Sequence, residues 1–162
     1  MTAQEPEIIT IRRKKNPMRY LMYSEPLEEL WEQQGNRPDL QSMRTSNWRG
    51  YVGHWSIRKR KLFLLNVEVC SDTYDWDSGL GEKEAMILET LPGPLDGGLF
   101  ASWFSGRLDC PYGECLEYRH MGYKSIYERF LILKIENGIV IGEEDMSGDE
   151  HCVMRRNEEP FF

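Results

Sequence analysis

Asn137-Gly138 stands between two runs of strand-forming residues, Tyr127–Ile135 and Ile139–Ile141. A two-residue join needs positive φ at both positions, which Asn and Gly tolerate, and it forces its flanking strands into an antiparallel pair. A second pair follows the same logic. In Tyr51–Arg58, Tyr51, Trp55 and Ile57 alternate with His54, Ser56 and Arg58, a period of two with one face toward a core. Arg58-Lys59-Arg60-Lys61 reads as a turn whose four like charges point into water, and Leu62–Val69 returns from it. Phe63, Leu65, Val67 and Val69 share one face of that return strand. Leu62 and Leu64 make the other face apolar at one end, so that end is expected to be buried on both sides.

Further strands are expected at Ile8–Ile11, Arg19–Tyr23, Leu99–Leu108 (with a bend near Gly106) and Cys115–His120. Asp109–Glu114 contains Cys-Pro-Tyr-Gly and reads as a turn. LPGPLDGG, residues 91–98, is a break. The best helical signal runs from 24 to 35. Ser24 can cap it, Leu27, Leu30, Trp31 and Gln34 keep helical spacing, and Gly35 closes it. A weaker helix is read over Glu82–Thr90, with a strand-like end as the alternative. Seven to eight strands joined by short turns predict a mainly β fold. The expected forms are an antiparallel curled sheet, a flattened barrel or a sandwich, with one or two short helices packed on it. The 162 residues suit a single domain over 1–162. Residues 1–7 and about 143–162 are read as mobile tails, apart from an anchor at Val153-Met154.

Charge divides the chain more sharply than its net of −7 suggests. Residues 1–70 hold 12 Lys and Arg against 8 Asp and Glu, whereas residues 71–162 hold 8 against 19. An acidic chain repels phosphate backbones, which disfavours general nucleic-acid binding, and its acidic face would attract a basic partner. No run of apolar residues reaches the length of a membrane span and the first residues lack a secretory pattern. Four cysteines are too few and too irregular for a disulfide scaffold. The expectation is a cytoplasmic protein with free thiols, no membrane contact and no cofactor.

Most catalytic signatures are missing: there is no P-loop, no G-x-S-x-G and no H-E-x-x-H. Gly79-Leu80-Gly81-Glu82-Lys83-Glu84 lacks the third glycine of a dinucleotide fingerprint. Asp72, Asp75 and Asp77 fail the EF-hand order. Cys110, Cys115 and His120, with His151-Cys152 near the end, could be read as zinc ligands, but their C-x4-C spacing is looser than the usual knuckle. The alternative places Cys110 and Cys115 across a hairpin turn as ordinary thiols, or as a disulfide if oxidised. Metal binding is therefore not expected. For acid–base work the candidates are His54, His120, Glu117 and Glu128. Glu117/Arg119 and Glu128/Arg129 read more simply as cross-strand ion pairs, and neither Ser102, Ser105 nor Cys70 has a partnered base in the sequence.

Trp48-Arg49-Gly50-Tyr51-Val52-x-x-Trp55-x-Ile57, followed by Leu62-x-Leu64 and by Leu99-Phe100-Ala101-x-Trp103-Phe104-x-Gly106, resembles a strand pair of small uncharacterised bacterial proteins over residues 20–140. The resemblance carries no site residue. Small acidic bacterial proteins of this kind include immunity proteins and toxin inhibitors. The leading functional expectation is a non-enzymatic protein-binding module of that type. It would meet a basic partner through Asp72, Asp75, Trp76, Asp77, Glu143, Glu144 and Asp145. The alternative is a small-molecule-binding β-barrel or a small enzyme, with a cavity lined by His54, Glu117, Tyr118, Arg119 and His120.

Overall fold

The computed structural model describes residues 3–13, 16–40, 45–69 and 80–158. Eight strands and three helices run in the order β1 (Glu7–Arg13), β2 (Asn16–Met22), α1 (Pro26–Gln34), β3 (Tyr51–Arg58), β4 (Lys61–Val69), α2 (Leu80–Thr90), β5 (Leu99–Phe100), β6 (Gly106–Glu117), β7 (Ile126–Glu136), β8 (Ile139–Ser147) and α3 (Gly148–Glu158). The strands form one mixed sheet in the order β2-β1-β3-β4-β8-β7-β6, with β5 paired to β4. The fold is mainly β, as the turn pattern predicts.

Three features depart from the sequence expectation. The sheet is mixed because β1 and β3 run parallel, with Ile8 opposite His54 and Ile11 opposite Ile57. β2 runs back antiparallel to β1 and ends beside its start, with Met22 opposite Glu7, so β3 enters from that same end and runs parallel to β1. The sheet is neither closed nor strongly curled, so a barrel is not shown. Helices number three among the described residues, because residues 143–158 finish β8 and build α3 rather than trailing as a tail. The other expected tail is also built in: the Glu7 side chain is fully buried in β1, and Glu5 N–H donates to Ser46 O at 2.7 Å.

Both expected hairpins form. Asn137 and Gly138 take φ of 50° and 80°, and Lys59 and Arg60 take 50° and 63°, the left-handed pair of a two-residue turn. The two turns meet: Leu62 N–H donates to Gly138 O and Val140 N–H to Arg60 O, each at 2.8 Å. That is where β4 and β8 touch, through Lys61 and Ile139. Three of the turn's cations do more than face water: Arg60 donates to Val140 O at 2.8 Å, the Arg58 guanidinium lies 4.4 Å from the Phe63 ring centre, and Lys61 Nζ lies 5.6 Å from that of Phe100.

The expected strand at Leu99–Leu108 is split. β5 is two residues long, and β6 begins at Gly106 and runs straight through the expected turn at Asp109–Glu114. Pro111 is tolerated because β6 ends the sheet order and needs no ladder bond on its outer side. Gly113, at φ 83°, sits in the irregular pairing between Tyr112 and Cys115, the position of a bulge.

β7 is covered on both faces. Leu131, Leu133 and Ile135 enter the main core with Ile9, Met22, Leu27, Trp31, Tyr51 and Trp55. Phe130 and Ile132 enter a second cluster with Met146, against which Tyr23, Tyr127 and Met154 pack. That second cluster is the seat of α3.

Candidate anion-binding cleft

The connection between β6 and β7 is pinned at several points. Ser125 Oγ accepts the Arg119 N–H at 3.0 Å, and Lys124 N–H donates to Met121 O at 3.2 Å. Gly122 bridges Ala3, and Gln4 N–H donates to Gly122 O at 3.0 Å. Tyr123 then turns inward. Its ring stacks on Tyr23 with centroids 4.9 Å apart, and its hydroxyl donates to Glu25 Oε1 at 2.6 Å.

Glu25 joins a buried charge network. Arg49 Nε lies 3.8 Å from Glu25 Oε1, and Arg49 Nη2 donates to Glu7 Oε2 at 2.9 Å. Glu7 also accepts the Gly53 N–H and, at 3.4 Å, the Trp55 indole N–H. Gly53 leaves room for these contacts, since a Cβ would come within 2.6 Å of Glu7 Oε1 and of Trp55 Nε1 and force them to shift. Burial pushes the Glu7 carboxyl above its usual range, against the pull of Arg49. Burial works against the Arg49 charge, but Glu7, Tyr123 and Glu25 outweigh it and hold the guanidinium firmly protonated. Burial also pushes the Tyr123 hydroxyl up, so it stays a donor.

α3 forms the opposite wall. Ser147 Oγ accepts the Glu150 N–H at 3.2 Å, a helix N-cap, and Asp149 and Glu150 lie in the first turn. His151 is 2% exposed and stacks on Phe130, with centroids 3.7 Å apart and planes 5° apart. Its Nε2 lies 2.9 Å from Asp109 Oδ2 in β6. Arg107 grips both Asp109 oxygens, Oδ1 at 2.6 Å and Oδ2 at 3.1 Å, and reaches Glu158, at the far end of α3, at 2.9 Å. Burial alone would raise the Asp109 carboxyl, but His151 and Arg107 outweigh it and hold it below its ordinary value. Arg155 Nη1 donates to Tyr123 O at 2.7 Å and ties the two walls together.

Between these walls lies a cleft of about 580 Å³. Four of the five residues of the alternative site line it: Glu117, Tyr118, Arg119 and His120. The fifth, His54, points from β3 toward Glu68, with Nε2 and Oε2 3.2 Å apart, and is not part of the cleft lining. Its position beside Trp55 in a pleated strand puts it on the opposite face. Lys124, Ser125, His151, Cys152, Arg155 and Arg156 complete the polar lining. Glu117 is held by Arg119 at 3.2 Å and Ser125 closes its own loop. The polar groups of the lining are mainly cations and hydrogen-bond donors, suited to holding an anion.

Of the expected partner-binding residues, Glu143, Glu144 and Asp145 lie on β8. Asp145 accepts from Arg129 at 2.7 Å, the cross-strand pair expected instead for Glu128, and it also accepts from Tyr112. Glu128 instead accepts the Glu114 N–H at 3.4 Å. Glu144 lines a groove of about 620 Å³ with Met146, Asp149, Glu150, Val153 and Met154. Asp72, Asp75, Trp76 and Asp77 lie outside the described residues, as does Cys70.

The cysteine pair does not flank a hairpin turn. Cys110 is fully buried and Cys115 exposed on the one strand β6. Burial pushes the Cys110 thiol far up, the reverse of what a thiolate ligand needs. Among the described residues, no group of three or more His, Cys, Asp and Glu is placed to hold a metal ion.

Sequence reasoning missed the cations of α3 and the Asp109–His151 pair. One signal was present: Ser147-x-x-Glu150 has the spacing of a capping box. No family model, curated protein or solved structure matches this chain. Among the described residues, no helix is long and apolar enough to cross a membrane.

Proposed function

We propose that this protein binds an anionic small molecule in the cleft between residues 117–126 and α3. The observation that carries this reading is where the cations lie. Residues 71–162 hold eight Lys and Arg against 19 Asp and Glu. Four of the eight, Arg119, Lys124, Arg155 and Arg156, line this one cleft, beside one carboxylate among the described residues, Glu117. Gathering like charges around a concavity carries a repulsion that an anion relieves, and it focuses a positive potential on an otherwise acidic surface. The volume of about 580 Å³ falls within the usual span of small-molecule sites.

The test is calorimetric titration of the whole chain with inorganic pyrophosphate at low ionic strength. Binding is expected, weakened about fivefold or more by Arg156→Gln and by physiological salt. Lys134→Gln, an exposed cation on β7 away from the cleft, should leave it unchanged. Absence of heat with millimolar pyrophosphate, or equal weakening by both variants, would end this reading.

A second reading keeps a basic protein partner, as for an immunity or inhibitor protein. It is favoured by Glu144, Asp149 and Glu150 around Met146 and the exposed Val153 in the groove beside α3. Salt-sensitive capture of a basic protein, lost on Glu144→Lys, would support it.

A further inference from the structure

The cleft has an apolar side as well as a cationic one. Tyr118 lines it and is 58% exposed, with Met121, 42% exposed, beside it. The Tyr118 ring is not loose: His120 packs edge-on against it, with centroids 4.6 Å apart and planes at 87°. A held, solvent-facing aromatic ring offers a π surface to a planar partner. Across the cleft stand Arg155 and Arg156 on α3, with Lys124 at the turn. Arg119 is partly neutralised by Glu117, so Arg155 and Arg156 are the main positive charges of the α3 wall.

Resting on the anion-cleft reading, we infer that the ligand is a phosphate monoester joined to a planar aromatic ring, the ring stacked on Tyr118 and the phosphate held by the cations of α3 and Lys124. A dianionic phosphate suits several converging cations better than a single carboxylate. The ring would cover Tyr118 and Met121, which otherwise remain in water. Nucleoside monophosphates and simple aryl phosphates share this chemistry.

The experiment titrates the whole chain with AMP, 1-naphthyl phosphate and inorganic phosphate under the same buffer. At least one of the two ring-bearing phosphates is expected to bind about tenfold more tightly than inorganic phosphate, the scale of one ring stacked on an aromatic side chain. A gain with AMP alone identifies the nucleoside as the source; a gain with both identifies the ring. Tyr118→Ala should remove the gain, so that the ring-bearing phosphates bind this variant no more tightly than inorganic phosphate does, and Arg156→Gln should weaken all three. The exposure of Tyr118 makes the first variant safe for folding, which its unchanged melting temperature checks. Equal affinity for all three compounds in the unsubstituted chain would overturn this inference and leave the anion cleft standing. Failure of all three, and of pyrophosphate, would remove the cleft itself.

Discussion

Two buried carboxylates take opposite directions for a reason visible in their neighbours. Glu7 is fully enclosed and meets one guanidinium, so desolvation wins and its carboxyl is raised. Asp109 meets Arg107 on both oxygens and His151 on one of them, so the partners win and its carboxyl is lowered. The sign of the second shift fixes a pH dependence. A carboxyl held below its unfolded value near 3.8 contributes stability that is present above that value and lost as the pH falls through the folded value. Asp109→Asn is therefore expected to cost about 2 kcal/mol at neutral pH, the scale of a hydrogen bond to a charged group. The gap between the two proteins should close as the pH drops below the ordinary carboxylate range. Urea titrations from neutral to strongly acidic pH would measure it; a gap that stays constant would mean that Asp109 acts by packing alone. Neither carboxylate was legible in the sequence, because a charged residue reads as surface until its partner is known. Arg49 is 42 positions from Glu7, and His151 the same distance from Asp109.

Elements were legible where local chemistry decides them. Asn137-Gly138 and the alternation of Tyr51–Arg58 fix their hairpins within a few residues, and Gly35 at φ 68° ends α1 with its N–H on Trp31 O. The expected Ser24 cap fails because Ser24 Oγ donates to Arg107 O at 2.8 Å instead, a contact that only the folded chain supplies. β6 was hidden by Cys-Pro-Tyr-Gly, which has turn composition but lies where the sheet has a spare side. α3 was hidden for another reason: only Gly148 and His151 are buried along it, so it has no apolar stripe to read. Its own signals are polar, with acids in the first turn and Arg155 and Arg156 in the last, both favourable to the helix dipole. Ser147→Ala should then cost about 1 kcal/mol in denaturant unfolding, and Ser147→Asp, which keeps a capping oxygen, should recover most of it. Equal losses in both would show that the hydroxyl has no capping role. Gly148 adds a steric demand beside the cap, since a Cβ would come within 2.2 Å of Tyr127 O.

At the scale of the molecule, the cleft exists because β7 needs a second cover. One face of Phe130–Leu133 fills the core, and the other would meet water without α3, so the helix that supplies the cations is also the helix that shields the central strand. The same placement explains how an acidic half of the chain presents a basic concavity, an outcome that summing charges along the sequence could not give. β7 is paired on both edges, to β6 and β8, and covered on both faces, so its amides have no route to solvent short of broad unfolding. Amide exchange of residues 130–133 is expected to report a free energy equal to that of global denaturant unfolding. α2 is supported mainly by Ile87, its fully buried member, and should exchange through a cheaper local opening. Phe130→Ala removes the ring that His151 stacks on and should cost about 3–5 kcal/mol. It should also loosen α3 and so weaken pyrophosphate binding, although Phe130 is not part of the cleft lining. Retention of full anion affinity in a folded Phe130→Ala protein would separate the cover of β7 from the cationic wall and refute their coupling.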